Sequence, residues 1–70
     1  MEQSISLSAI VPIYNEEQNL EESVYRLIKE PIFNKIVLVD DASEDSSLEI
    51  AKNIERNSDK IFCKLLLVKL

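Results

Sequence analysis

The spacing of apolar positions changes several times along the chain, and each change predicts an element. Ile5-Ser6-Leu7-Ser8-Ala9-Ile10-Val11 is β-prone and runs into Pro12. Proline has no N–H to give a ladder, so the pattern predicts a strand that ends there and a loop beyond it. Leu20, Val24, Leu27 and Ile28 then recur at offsets of four, seven and eight, one apolar stripe on a helix that Pro31 stops. Asn15 and Gln18 stand at capping-box spacing ahead of it, and Glu16, Glu17, Glu21 and Glu22 crowd its start, where the helix dipole favours negative charge. Ile36-Val37-Leu38-Val39 is a continuous apolar run ending in Asp40-Asp41, the pattern of a central parallel strand buried on both faces. Asp45 or Ser46 can cap a second helix, Ser46 and Glu49 have capping-box spacing, and Leu48, Ala51 and Ile54 supply its buried side as far as Asn57-Ser58. The tail from Ile61 to Leu70 predicts a strand at its beginning, although its leucine-rich run also suits a helix.

This order is that of an α/β fold with a parallel sheet and right-handed crossovers. If each strand is added on the same side of the last, both helices fall on one face and leave the other bare. The strands nevertheless read apolar on both faces. A bare face and an open first edge invite self-association, and they mark the chain as the front half of a larger α/β domain.

Composition narrows the function. Seventy residues make one small domain at most, one that buries only about 60% of its unfolded surface. The absence of His excludes a Ser-His-Asp triad and His-ligated metals, and the absence of Gly excludes Gly-rich phosphate loops. Thirteen acidic residues against eight basic ones, a net charge of −5, argue against nucleic acid as a partner. The late basic residues Lys52, Arg56, Lys60, Lys64 and Lys69 read as solvated faces. Single Cys63 reads as a buried, inert thiol, no stretch is long enough to span a membrane, and the start lacks a basic leader region, so the cytoplasm is the expected compartment.

Chemistry concentrates at the two strand ends, Pro12-Ile13-Tyr14-Asn15-Glu16 and Val39-Asp40-Asp41-Ala42-Ser43, because ligands of open α/β sheets bind beyond the carboxyl ends of the strands. Taken singly, these residues have plainer roles. Asp40 and Asp41 suit Asx turns or helix caps, Tyr14 half-buried packing, and Glu16 a helix-start charge. Asp41-x-Ser43-x-Asp45 hints at a calcium loop, but Ser46 and Lys52 stand where Gly and Glu are needed.

Together the segments Ile10-Val11-Pro12-Ile13-Tyr14-Asn15-Glu16-Glu17 and Ile36-Val37-Leu38-Val39-Asp40-Asp41-Ala42-Ser43-Glu44-Asp45 resemble the opening of the inverting family 2 glycosyltransferases, nearest their dolichyl-phosphate mannose synthase-like branch. The resemblance covers about residues 5 to 57, with 58 to 70 an atypical tail. It implies the N-terminal β-α-β-α-β half of a GT-A, Rossmann-like domain and a nucleotide-diphosphate sugar, of UDP or GDP type, as partner. In that role Tyr14 offers a face for base stacking, Pro12 and Val39 form pocket wall, Asp41 accepts from a base N–H, Glu16 accepts from a ribose hydroxyl, and Asp40 orients the loop. The complete domain is expected to use Mg or Mn on the diphosphate. The family's Asp-x-Asp segment and catalytic carboxylate have no counterpart in these residues, so the chain alone is expected to bind no metal and to be inactive. A full-length form is expected at the cytoplasmic membrane face. Ala42 replaces the family's usual Gly. Two other readings stand beside this one: a receiver-like signalling module whose Asp pair binds Mg²⁺, and a non-functional remnant.

Overall fold

Three parallel strands alternate with two helices in the computed structural model, which describes residues 7–66. The order is β1 (Leu7–Ile13), α1 (Leu20–Ile28), β2 (Phe33–Asp40), α2 (Ser47–Arg56) and β3 (Ile61–Leu65), with β2 central. The expected strand at the beginning of the tail is β3. What was expected of residues 67–70 lies outside the described residues.

β1 does not end at Pro12. It continues to Ile13, whose carbonyl accepts the Asp41 N–H at 2.9 Å. Because alternate residues of a strand turn their polar groups to opposite sides, Ala9, Val11 and Ile13 bond β2, whereas Ser8, Ile10 and Pro12 face the free edge. The donor that proline lacks is one β2 never uses, so Pro12 costs the ladder nothing.

The register aligns Ile10, Val37 and Phe62 across the three strands, and Pro12, Val39 and Lys64 in the next outward-facing row. Ile13, Ile36, Leu38 and Ile61 turn the other way and meet Leu20 and Val24 of α1 and Ala51 and Ile54 of α2 in one buried core. Both helices thus cover the same face, as two right-handed crossovers in a 1-2-3 strand order require. β2 is correspondingly buried on one face rather than two: Ile36 and Leu38 are fully enclosed, while Val37 and Val39 are only partly covered. On the bare face Ile10 is 72% exposed and Phe62 38%, and the Lys35 ammonium lies 4.7 Å from the Phe62 ring centre.

The helix ends also depart from the sequence pattern. α1 begins at Leu20, and neither its Asn19 cap nor the Ser46 cap of α2 makes a side-chain capping bond. Asn15 and Ser46 therefore do not act as capping-box residues. The Leu20 N–H is instead taken by the Glu16 carbonyl at 2.8 Å, and the Ser47 N–H by the Asp45 carboxylate at 2.9 Å. At its other end α1 is closed from a distance: the Lys60 ammonium donates to the Ile28 carbonyl at 3.0 Å and the Glu30 carbonyl at 3.2 Å, where a cation also suits the helix dipole.

Candidate functional site

Two loops leave the carboxyl end of the sheet side by side, residues 14–19 after β1 and 41–46 after β2. Their shape is set by short polar side chains. Asp40, fully buried at the end of β2, accepts from the Ser43 N–H at 3.0 Å and the Ser43 hydroxyl at 2.6 Å, which satisfies a carboxylate that burial would otherwise destabilise. This is the loop-orienting role expected of it.

From Ser43 the network crosses to the first loop. Ser43 Oγ accepts the Asn15 N–H at 3.0 Å, and Asn15 Oδ1 returns the connection by accepting the Glu44 N–H at 2.8 Å. Asp45 Oδ2 accepts the Glu17 N–H at 3.2 Å, and buried Ser47 Oγ accepts the Glu16 N–H at 2.7 Å. Asn15 and Ala42 both take the left-handed conformation, with φ of 50° and 52°. Asn tolerates this region; alanine carries a steric cost there of about 1–2 kcal/mol. Ala42 therefore adopts the backbone that a Gly would favour, and the loop keeps its turn.

The slight burial of the Asp45 carboxylate opposes its ionisation. Hydrogen bonds from the Ser47 hydroxyl and N–H and from the Glu17 N–H outweigh that burial and hold the group below its ordinary value. Cys63 goes the other way: burial, reinforced by the charges of Glu55 and Asp40, pushes its thiol up, as suits an unreactive side chain.

Pro12 and Val39 are register partners on the bare face. Tyr14 and Asp41 follow the next paired residues, Ile13 and Asp40, and both are exposed, Tyr14 at 54%. These four residues are brought to one corner of the sheet. Glu16 is also exposed but belongs to hollows on the α1 side: one of about 200 Å³ with Val11, Pro12, Ile13, Leu20 and Ser23, and one of about 220 Å³ with Asn15, Glu17, Gln18, Asn19 and Asp45.

The first-loop and second-loop acids Glu16, Glu17, Asp41, Glu44 and Asp45 surround this end of the sheet. Such a rim accepts hydrogen bonds from N–H and O–H groups and repels bare phosphate. The members that sequence reasoning passed over are Asn15, Ser43 and Ser47. Their contacts span 28 to 31 residues, and only the strand register reveals them.

Residues 8–66 match the family described as Glycosyl transferase family 2. The chain belongs to glycosyl transferase family 2. A family relative, the undecaprenyl-phosphate 4-deoxy-4-formamido-L-arabinose transferase of Proteus mirabilis (strain HI4320), is 42% identical over 59 residues, a match that takes in 73% of this chain and 18% of the relative. The chain thus spans about a fifth of the length of that transferase. No solved structure matches it. The β-α-β-α-β order and parallel sheet agree with the N-terminal, Rossmann-like half of a family 2 domain. Among the described residues no helix is long and apolar enough to cross a membrane. No three Asp, Glu or Cys side chains among them converge as a metal requires, and both Asp40 oxygens are already occupied by Ser43. Among the described residues no set of carboxylates is grouped to hold the Mg or Mn that the family implies.

Proposed function

We propose that the carboxyl end of this sheet binds the nucleoside part of a nucleotide-diphosphate sugar, as the donor-binding segment of a family 2 glycosyl transferase acting on a lipid-phosphate or other hydroxylic acceptor. One observation carries the reading: parallel pairing of β1 with β2, closed by the Asp41 N–H on the Ile13 carbonyl, brings Tyr14 and Asp41 to one exposed corner beyond Pro12 and Val39. Tyr14 supplies a stacking face, worth about 1–3 kcal/mol per base in related settings. Asp41 accepts from the N–H of a uracil or guanine edge, and Pro12 and Val39 bound the apolar side. Glu16 reaches ribose hydroxyls from the neighbouring hollow. The bonds from Asp40, Ser43 and Asn15 hold the two loops in place before ligand arrives, which limits the ordering entropy that binding must overcome.

Sugar transfer also needs charge stabilisation at the departing diphosphate and a base for the acceptor, and these residues supply neither, so the segment alone binds without turning over. The test is a titration of UDP and GDP sugars followed by amide shifts of residues 12–16 and 39–43. Binding that Tyr14→Ala and Asp41→Asn each weaken about tenfold is the expected result, equivalent to roughly 1.4 kcal/mol. Shifts confined to other surfaces, or an affinity unchanged in both variants, would refute the assignment.

A further inference from the structure

Glu16 is held by both of its backbone polar groups. Its N–H donates to Ser47 Oγ at 2.7 Å, and its carbonyl accepts the Asn19 N–H at 3.0 Å and the Leu20 N–H at 2.8 Å, the bonds that open α1. Ser47 is the first residue of α2 and is fully buried, which is uncommon for serine. Its hydroxyl works in both senses: it accepts from Glu16 and donates to the Asp45 carboxylate, which also takes the Ser47 N–H at 2.9 Å. A buried hydroxyl whose proton has a fixed acceptor presents its lone pairs in fixed directions, and here one of them meets a backbone N–H 31 residues away. The other bonds between the two loops, from Asn15 N–H to Ser43, Glu44 N–H to Asn15 and Glu17 N–H to Asp45, are exposed and run from 2.8 to 3.2 Å. Water can replace those partners; it has no access to Ser47. The Glu16 side chain, by contrast, is exposed, and Pro12 borders both its hollow and the corner that carries Tyr14 and Asp41.

We propose that Ser47 is a positioning residue for ribose recognition: by fixing the Glu16 backbone against the start of α2, it sets where the Glu16 carboxylate meets the hydroxyls of a nucleoside whose base lies on Tyr14. This role rests on the nucleoside site proposed above and adds a selectivity to it, ribose over deoxyribose. An alanine in place of Ser47 would leave the Glu16 N–H without its acceptor and the first loop free to shift at that residue. A purely structural Ser47 would hold the loops for every ligand alike. A positioning Ser47 matters only to the part of the ligand that Glu16 touches.

Amide-shift titrations of the full 70-residue chain with UDP and GDP, beside their dideoxyribose counterparts that lack both ribose hydroxyls, test it. The wild-type chain should bind the ribose forms about tenfold more tightly, as one hydrogen bond to a charged acceptor gives. Glu16→Ala and Ser47→Ala should each bring that ratio near unity while leaving affinity for the dideoxy forms unchanged, and the double variant should lose no more than either alone. If Ser47→Ala does not fold, Ser47→Cys, which puts a weakly accepting sulfur in place of the oxygen, reads the same ratio. A Ser47 variant that weakens both forms equally, one that keeps the wild-type ratio, or losses that add in the double variant would overturn the proposal. Wild-type binding that Tyr14→Ala and Asp41→Asn weaken but that ignores the ribose hydroxyls would overturn the Ser47 role alone, whereas no binding of any form would remove the nucleoside site with it.

Discussion

The two faces of the sheet are built from the same strands and nearly the same residue types, yet only one is a core. Ile36 and Leu38 are sealed beneath both helices, while Val37, one position away, shares a row with exposed Ile10 and Phe62. Hydrophobicity does not separate these residues. The handedness of the crossovers does, because it sends both helices to one side. An apolar strand position thus states what can be buried, and the topology decides what is.

The comparison breaks most sharply at its centre. Leu38→Ala should cost about 2–5 kcal/mol, enough to unfold a domain this small, whereas Val37→Ala should cost under about 1 kcal/mol. Urea titrations of both variants would show it, and equal losses would mean that the bare face is packed after all. Next in size is Asp40→Ala. It leaves the Ser43 N–H and hydroxyl without their acceptor and should cost about 1–3 kcal/mol, with amide shifts spreading to Asn15 through Ser43.

Ala42→Gly should act in the opposite sense. Relief of the left-handed strain, offset in part by the larger entropy of an unfolded Gly, should leave a gain of about 1 kcal/mol or less in thermal unfolding. The smallest expected effect is at Asp45. Its folded value is lowered, so its contribution is fully present above the ordinary 3.8 and fades as pH falls through the lowered folded value. Asp45→Asn should therefore lower stability slightly at neutral pH, where the carboxylate's contribution is fully present, and flatten that acidic limb of the stability curve.

The central strand and the α1 stripe were legible because several residues vote for one period: Leu20 and Val24 are buried as their spacing requires, and Ile36 to Val39 lie inside β2. The end of β1 was not. The rule about proline concerns a ladder donor, and whether a donor is needed depends on which side of the strand faces a neighbour. The cap ahead of α1 was misread for a related reason, whereas Asp45 does take the first N–H of α2. Asn15 has the composition of a local cap, but its side chain reaches Glu44 across 29 residues. The corner formed by Pro12, Tyr14, Val39 and Asp41 could be anticipated from two motifs at strand ends. The serines and Asn15 that hold it could not, because no local spacing encodes a contact between two loops.

Lys60 ties together parts that chain order would let separate. From the threshold of β3, some thirty residues away, its ammonium closes the Ile28 carbonyl at the end of α1 and the Glu30 carbonyl just beyond it, so fraying of that helix end breaks a tie to the strand that follows α2. In amide hydrogen exchange, the final turn of α1 and the opening of β3 should therefore share one cooperative opening event rather than show the graded protection of an independent helix end.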